Sequence, residues 1–136
     1  MNNLFDNLII TEIGSSHDGS FGNACNLIEL SKKCGANAVK FQMHNAEYET
    51  LKNSPNPKYF KKENRYNYFK RTAFDLNQWA KLINVAKKNK LEFICSPFSE
   101  MAVENLKKLQ VKTLKIPSGE LTNLAMLKKI KSLFPN

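Results

Sequence analysis

Four short apolar runs, each followed by a stretch of helical period, constrain this chain more than any other feature in it. The runs are Leu8-Ile9-Ile10-Thr11-Glu12-Ile13, Ala38-Val39-Lys40-Phe41-Gln42, Leu91-Glu92-Phe93-Ile94-Cys95-Ser96 and Thr113-Leu114-Lys115-Ile116. Each has the length and the apolar character of a buried strand. After them the apolar positions recur every three or four residues. The first helical face is Ala24, Leu27, Ile28 and Cys34; the second is Leu76, Trp79, Leu82, Ile83 and Ala86. Two more are Ala102, Val103, Leu106 and Leu109, then Leu124, Leu127, Ile130 and Phe134. Gly35 stops the first helix, and Asp75 with Gln78 makes a capping box for the second. Ser99 caps the third, Thr122 or Asn123 opens the fourth, and Pro97 and Pro117 close the last two strands. Strand-then-helix four times over predicts an α/β fold: a parallel sheet with right-handed crossovers and flanking helices.

Residues 43–74 break that rhythm with a polar, aromatic stretch that includes Pro55, Pro57, Tyr59, Phe60, Tyr66, Tyr68 and Phe69. A connection this long is functional or carries short helices of its own. It follows a strand, so it belongs at the strands' C-terminal ends, where barrels and open sheets hold ligands.

Polar residues at those strand ends are informative, because the interior of a parallel sheet is normally Val, Ile and Leu. The first strand delivers Glu12 and then Gly14-Ser15-Ser16-His17-Asp18-Gly19. The second delivers Lys40 and Gln42, the third Ser96, and the fourth Lys115, Ser118 and Glu120. Two lysines with hydroxyls and a backbone turn suit a phosphate and a carboxylate. Two glutamates can accept bonds from sugar hydroxyls and handle protons. The expected arrangement is a single cleft in which Lys40 and Lys115 converge, rimmed by Glu12 and Glu120. An internal ion pair to one of those glutamates is the alternative use of either lysine. His17 can be a general base, a metal ligand or a hydrogen-bond partner that fixes its turn, while His44 carries little information. Gly14 and Gly19 permit turn geometry, and the G-x-G-x-x-G fingerprint of dinucleotide sites is absent.

Charge and cysteine content narrow the class further. The net charge of +9 comes from 19 Lys and 2 Arg within the 21 basic residues, and much of it clusters at expected helix ends, where it suits the dipole. A solvated basic shell is therefore favoured over a nucleic-acid surface. No apolar run approaches the ~20 residues that span a bilayer, and Met1-Asn2-Asn3-Leu4-Phe5-Asp6 lacks the order of a signal peptide, so the expectation is cytoplasmic. Cys25, Cys34 and Cys95 show no zinc-ligand spacing and are expected to be buried free thiols.

At these strand ends the chain resembles the N-acetylneuraminate (sialic acid) synthase family, which includes legionaminate and pseudaminate synthases. The resemblance rests on Ile10-Thr11-Glu12-Ile13-Gly14 with His17-Asp18-Gly19, and on Gly35-Ala36-Asn37-Ala38-Val39-Lys40-Phe41-Gln42. Phe93-Ile94-Cys95-Ser96-Pro97-Phe98 and Leu114-Lys115-Ile116-Pro117-Ser118-Gly119-Glu120-Leu121-Thr122-Asn123-Leu124 continue it, in family order over nearly the whole chain. Ser16 stands where the family has Asn, and Ser96 where Thr is common.

The resemblance implies the N-terminal (βα)4 half of a TIM-type (βα)8 barrel over residues 1–136, with the active-site loop at about 43–74. In the implied reaction, phosphoenolpyruvate adds through its methylene carbon to the aldehyde of open-chain N-acetylmannosamine or a related amino sugar. A metal-bound water attacks the resulting cationic carbon, and phosphate leaves. Lys40, Ser96, Lys115 and Ser118 match phosphoenolpyruvate contacts, with Gln42 in support. Glu12 and Glu120 match sugar-side and proton-handling positions. His17, Tyr66 and Tyr68 belong to the loops on the substrate side. The divalent metal, Mn2+ or Mg2+, sits on histidines of later strands, so no ligands for it are expected here. A C-terminal antifreeze-like domain that reaches into the partner subunit of a homodimer is likewise not expected in this chain.

A full barrel takes ~250 residues, so the chain by itself is expected to be inactive. Its open strand edges, with Ile10, Val39, Ile94 and Leu114 lacking partners, should favour self-association or a second polypeptide. Two other readings compete. Lys40 or Lys115 could form a Schiff base, as in a class I aldolase. Alternatively Tyr59, Phe60, Tyr66, Tyr68 and Phe69, interleaved with Lys61, Lys62, Arg65, Lys70 and Arg71, could make a non-catalytic nucleic-acid-binding patch.

Overall fold

The computed structural model describes residues 8–58 and 63–135. Expectations placed on the first six residues and on Tyr59, Phe60, Lys61 and Lys62 lie outside the described residues. Four parallel strands, β1 (Ile10–Gly14), β2 (Ala38–Met43), β3 (Glu92–Pro97) and β4 (Thr113–Leu114), form one sheet in the order β1-β2-β3-β4. The helices are α1 (Phe21–Lys33), α2 (Ala46–Glu49), α3 (Arg65–Thr72), α4 (Leu76–Lys88), α5 (Glu100–Lys108) and α6 (Leu124–Leu133). Neighbouring strands are consecutive in sequence, so a helix must run back between each pair for the strands to lie parallel.

Register divides the strand side chains between two faces. Glu12 pairs with Lys40, Lys40 with Ile94 and Ile94 with Thr113, so these four project to one side. Val39, Phe41, Met43, Phe93, Cys95 and Leu114 project to the other. There they join Ala24 and Ile28 of α1, Trp79, Leu82 and Ala86 of α4, and Ala102 and Leu106 of α5 in one core. Phe41 stacks on Phe93 with centroids 5.4 Å apart, and its edge meets Trp79 at 6.0 Å.

The helix ends follow the sequence signals. Ser20 accepts the Asn23 N–H at 3.2 Å, and Asp75 and Gln78 close a reciprocal capping box. Ser99 accepts the Ala102 N–H, and Asn123 the Met126 N–H. Gly35 follows α1 with φ +86°. Beyond α4 and α5 the left-handed positions fall on Lys90 (φ 55°) and Gln110 (φ 57°), where no glycine announced the stop.

Several expected faces are corrected. Cys34 caps α1 in an exposed position and Ser31 takes its place in the core; Cys25 is half-buried, so of the three thiols only Cys95 is fully enclosed. Leu76 and Leu124 are exposed, and Met126 is the fully buried residue of α6. This helix packs on α5, so the residue facing α5 is buried rather than the leading leucine of the stripe. Val39 and Leu114 do not lack partners, because they face the helices; Ile94 is 6% exposed, and Ile10 alone of those four lies open. No helix among the described residues is long and apolar enough to cross a membrane.

The long connection carries two short helices, α2 and α3, with a small core of its own from Ala46, Tyr66 and Phe69. Arg71 ties it to the β1–α1 turn, donating to Asp18 at 2.8 Å and to Glu63 at 2.6 Å. Gly19, at φ +82°, lies so close that a Cβ there would meet the Arg71 carbonyl oxygen at 2.6 Å.

Candidate active site

The open face of the sheet gathers most of the strand-end polar residues. Glu12 and Lys40 are register partners on adjacent strands and form an ion pair. The Lys40 side chain is 13% exposed, a depth at which an ammonium needs an anion beside it. Two residues further along, Gln42 pairs with Ser96. The ladder continues from the Lys115 N–H to the Cys95 carbonyl at 3.1 Å, which sets Lys115 beside Ser96 and opposite in direction to Leu114. Gln42, Ser96 and Lys115 thus form one row across three strands, spaced about 4.8 Å per strand.

Ser96 is 1% exposed, and its hydroxyl has no hydrogen-bond partner among the described residues. An unpaired buried hydroxyl costs about 1–3 kcal/mol, so a ligand oxygen at this point would relieve a standing penalty. Lys115 is exposed and makes no ion pair among the described residues. Of the two expected uses of the lysines, Lys40 takes the internal pair and Lys115 stands open. Schiff-base chemistry asks for an unpaired amine, which Lys40 does not offer.

Ser118 and Glu120 lie beyond β4 on a short 3-10 turn (Ser118–Glu120) that leads into α6. Glu120 accepts from the Asn123 side chain at 2.8 Å, which holds this carboxylate at the mouth of the helix, and it makes no ion pair among the described residues.

His17, Tyr66 and Tyr68 point elsewhere. His17 is 2% exposed and stacked on Phe74 at 4.5 Å, while its Nδ1 accepts the Gly19 N–H at 3.1 Å. Burial pushes its pKa below the usual imidazole value; Asp18 opposes that shift and His44 adds to it. Of the three uses open to it, this geometry is that of a residue fixing its turn. Tyr66 is buried in the loop core, and its hydroxyl donates to Glu47 at 3.5 Å. Tyr68 lies under the Arg71 guanidinium at 5.1 Å. Phe69 is buried as well, with Arg65 over its ring. The described part of the basic-aromatic stretch is therefore packed against itself and offers no free stacking platform.

His44 carries little weight in the sequence, yet the fold encloses it. It is clasped between Phe69 and Phe98, and its nitrogens face Glu49 and Gln42. The available signal was its place one residue past a strand end with an acidic residue five positions on. Among the described residues no group of three or more His, Cys, Asp or Glu side chains could hold a metal ion. The described residues do not fit a divalent metal centre.

Comparison with known proteins gives the family and the fold. The chain is 37% identical to an N,N'-diacetyllegionaminic acid synthase of Campylobacter jejuni over 93% of its own length and 39% of the relative's. It is 34% identical to the N-acetylneuraminate-9-phosphate synthase of Homo sapiens over 89% of its length and 35% of that protein's. The crystal structure of an N-acetylneuraminic acid (sialic acid) synthetase from Leptospira borgpetersenii, in complex with citrate, superposes with a TM-score of 0.76 at 28% identity. That match covers 93% of this chain and 41% of the other. The chain thus spans about two fifths of the length of the relatives it matches, and its sheet with flanking helices is the N-terminal part of their TIM-type barrel. The NeuB family model matches residues 27–134. The chain belongs to the NeuB family.

Proposed function

We propose that this chain carries the phosphoenolpyruvate half-site, and part of the sugar site, of a nonulosonic acid synthase in carbohydrate biosynthesis. The observation that carries the reading is the Ser96 hydroxyl, buried and unpaired in a row between Gln42 and Lys115. Lys115 would meet the phosphate and carboxylate charges from the solvent side. Lys40 would exchange its Glu12 partner for ligand oxygen, and the freed Glu12 carboxylate would turn to the sugar. In the reaction the phosphoenolpyruvate methylene carbon forms the new bond to the aldehyde carbon of an N-acetylated amino sugar. The aldehyde oxygen takes up a proton. Water adds to the cationic carbon that bears the phosphate, and inorganic phosphate departs to leave the 2-keto acid. Glu12 and Glu120 are the carboxylates proposed to handle the protons. The Leptospira relative is in complex with citrate, itself a small carboxylate anion.

Half a barrel leaves the far side of the cleft to other residues, so turnover is proposed to need a complementary half and Mn2+ or Mg2+. Binding needs neither. Calorimetric titration of the folded chain with phosphoenolpyruvate should release or absorb heat, weaken as salt rises, and weaken about ten- to hundredfold in Lys115→Ala, as loss of a charged hydrogen bond would. A folded sample that takes up no phosphoenolpyruvate at low salt overturns the reading.

A further inference from the structure

Helices α1, α4 and α5 end in the same hydrogen-bonded turn. After α1 the Gly35 N–H bonds to the Lys32 carbonyl and the Ala36 N–H to the Ser31 carbonyl. Lys90 and Leu91 repeat the pattern after α4, on Lys87 and Ala86; Gln110 and Val111 repeat it after α5, on Lys107 and Leu106. The turn sets one residue in the left-handed region, where glycine escapes the clash that a Cβ meets. Gly35 fills that position at φ +86°. Lys90 and Gln110 fill it at φ 55° and 57° and keep a side chain there. Both residues are exposed, so neither side chain is needed by the core. Both line one cleft.

That cleft, of about 530 Å³, lies between α4 and α5 at the starts of β3 and β4. Its volume is in the range of sites for small organic molecules. Leu91, Phe93 and Val111 belong to the core and give it an apolar floor. Lys87, Lys90 and Lys112 bring three ammonium groups, none of which makes an ion pair among the described residues. Glu92 is the one carboxylate among the lining residues, and it accepts from the Thr113 hydroxyl at 2.9 Å. Glu92 is two residues before Ile94, so it projects with Ile94 and Thr113 to the sheet's other face. Like charges over an apolar floor concentrate a positive potential and draw an anion.

We propose that this cleft is a nucleotide-binding site, independent of the phosphoenolpyruvate reading. The ammonium groups of Lys87, Lys90 and Lys112 suit phosphate oxygens. The floor suits the flat face of a base. Asn84, three residues before Lys87 on the same face of α4, joins Gln110 in offering carboxamides, whose donors and acceptors match a base edge. A bare anion would use the lysines and leave the floor and the amides idle. Lys90 and Gln110 keep side chains at left-handed positions because those side chains meet the ligand. Phe93 and Ser96 are three residues apart on β3, about 10 Å along the strand, and project to opposite faces. The cleft and the strand-end row are therefore separate sites.

The test is calorimetric titration of the full chain with adenosine diphosphate and with inorganic pyrophosphate, at low salt. Adenosine diphosphate should bind at one site, about tenfold tighter than pyrophosphate, since only it covers apolar floor. Lys90→Gly and Gln110→Gly should each weaken it about tenfold, as loss of one hydrogen bond would. Both variants should melt no lower than the natural chain, and up to about 3 °C higher, because glycine relieves the left-handed position. Lys115→Ala should leave this binding unchanged. A chain that takes up no adenosine diphosphate overturns the inference, and so does pyrophosphate that binds as tightly. Glycine variants that melt lower and keep their affinity assign the two side chains to the fold and overturn it as well. Affinity lost in Lys115→Ala and kept in Lys90→Gly places the nucleotide in the strand-end row, against the proposal. Failure of phosphoenolpyruvate to bind touches none of these outcomes.

Discussion

The two faces of the sheet are built from the same strands and could hardly differ more. Toward the helices, Val39, Phe41, Met43 and Cys95 are fully or almost fully buried among apolar side chains. Away from them the same strands turn out Glu12, Lys40, Gln42, Ser96 and Thr113. One face has its hydrogen-bonding and packing needs met within the chain. The other carries an ion pair, an exposed ammonium and an unpaired hydroxyl. Burial of apolar area accounts for the first face. Nothing in stability accounts for the second, and that asymmetry is the argument for a ligand.

The comparison breaks most readily at Phe41, which is fully buried between Phe93 and Trp79. Phe41→Ala should cost about 3–5 kcal/mol of folding stability, through lost burial and the cavity left behind. Thr113→Ala, an exposed change on the open face, should fall within about 0.5 kcal/mol of the natural chain. Urea unfolding of the two variants checks both. Equal losses would mean that the faces do not divide the work as the register implies.

At Ser96 the two effects should take opposite signs. Ser96→Ala removes a buried hydroxyl that has no hydrogen-bond partner among the described residues. Stability should hold or rise by as much as about 1 kcal/mol, while phosphoenolpyruvate affinity falls about tenfold. Paired melting and titration measurements separate the two. A variant that loses stability and keeps its affinity would assign Ser96 to the packed face.

Much of this division was legible in the sequence, because a lysine or glutamate inside an apolar strand run cannot point into a helix-covered core. Register then carried Glu12, Lys40, Gln42, Ser96 and Lys115 to one side. The roles of the two histidines were not legible. His17 stands among glycines and serines in a turn, yet Phe74, some sixty positions on, covers its ring. His44 looks like a stray polar residue, yet Phe69 and Phe98 close over it from two separate segments. Both depend on contacts across the long connection, whose path no local period encodes. For a related reason the stripe favours Leu124 over Met126 as the inward residue, whereas Met126 is the buried one: a stripe gives the apolar side of a helix but not which part of it a single neighbour covers.

His17 offers the smallest effect and the finest discrimination, since it leaves the strand-end turn and enters the packed face. Burial lowers its folded-state pKa below 6.5, with Asp18 pulling it up and His44 pushing it further down. The unfolded ring titrates at its ordinary value, so as pH falls through about 6.5 the unfolded chain binds a proton that the folded ring resists. This contribution to stability is intact above that pH, declines below it, and levels off beneath the folded value. His17→Asn keeps an acceptor for the Gly19 N–H and removes the titration. Comparing urea midpoints at about pH 7.5 and about pH 5.5, the natural chain should lose more stability than His17→Asn, by about 1.4 kcal/mol or less per unit of pKa difference. Equal losses in the two proteins would put the ring in solvent, with the polar row of the open face.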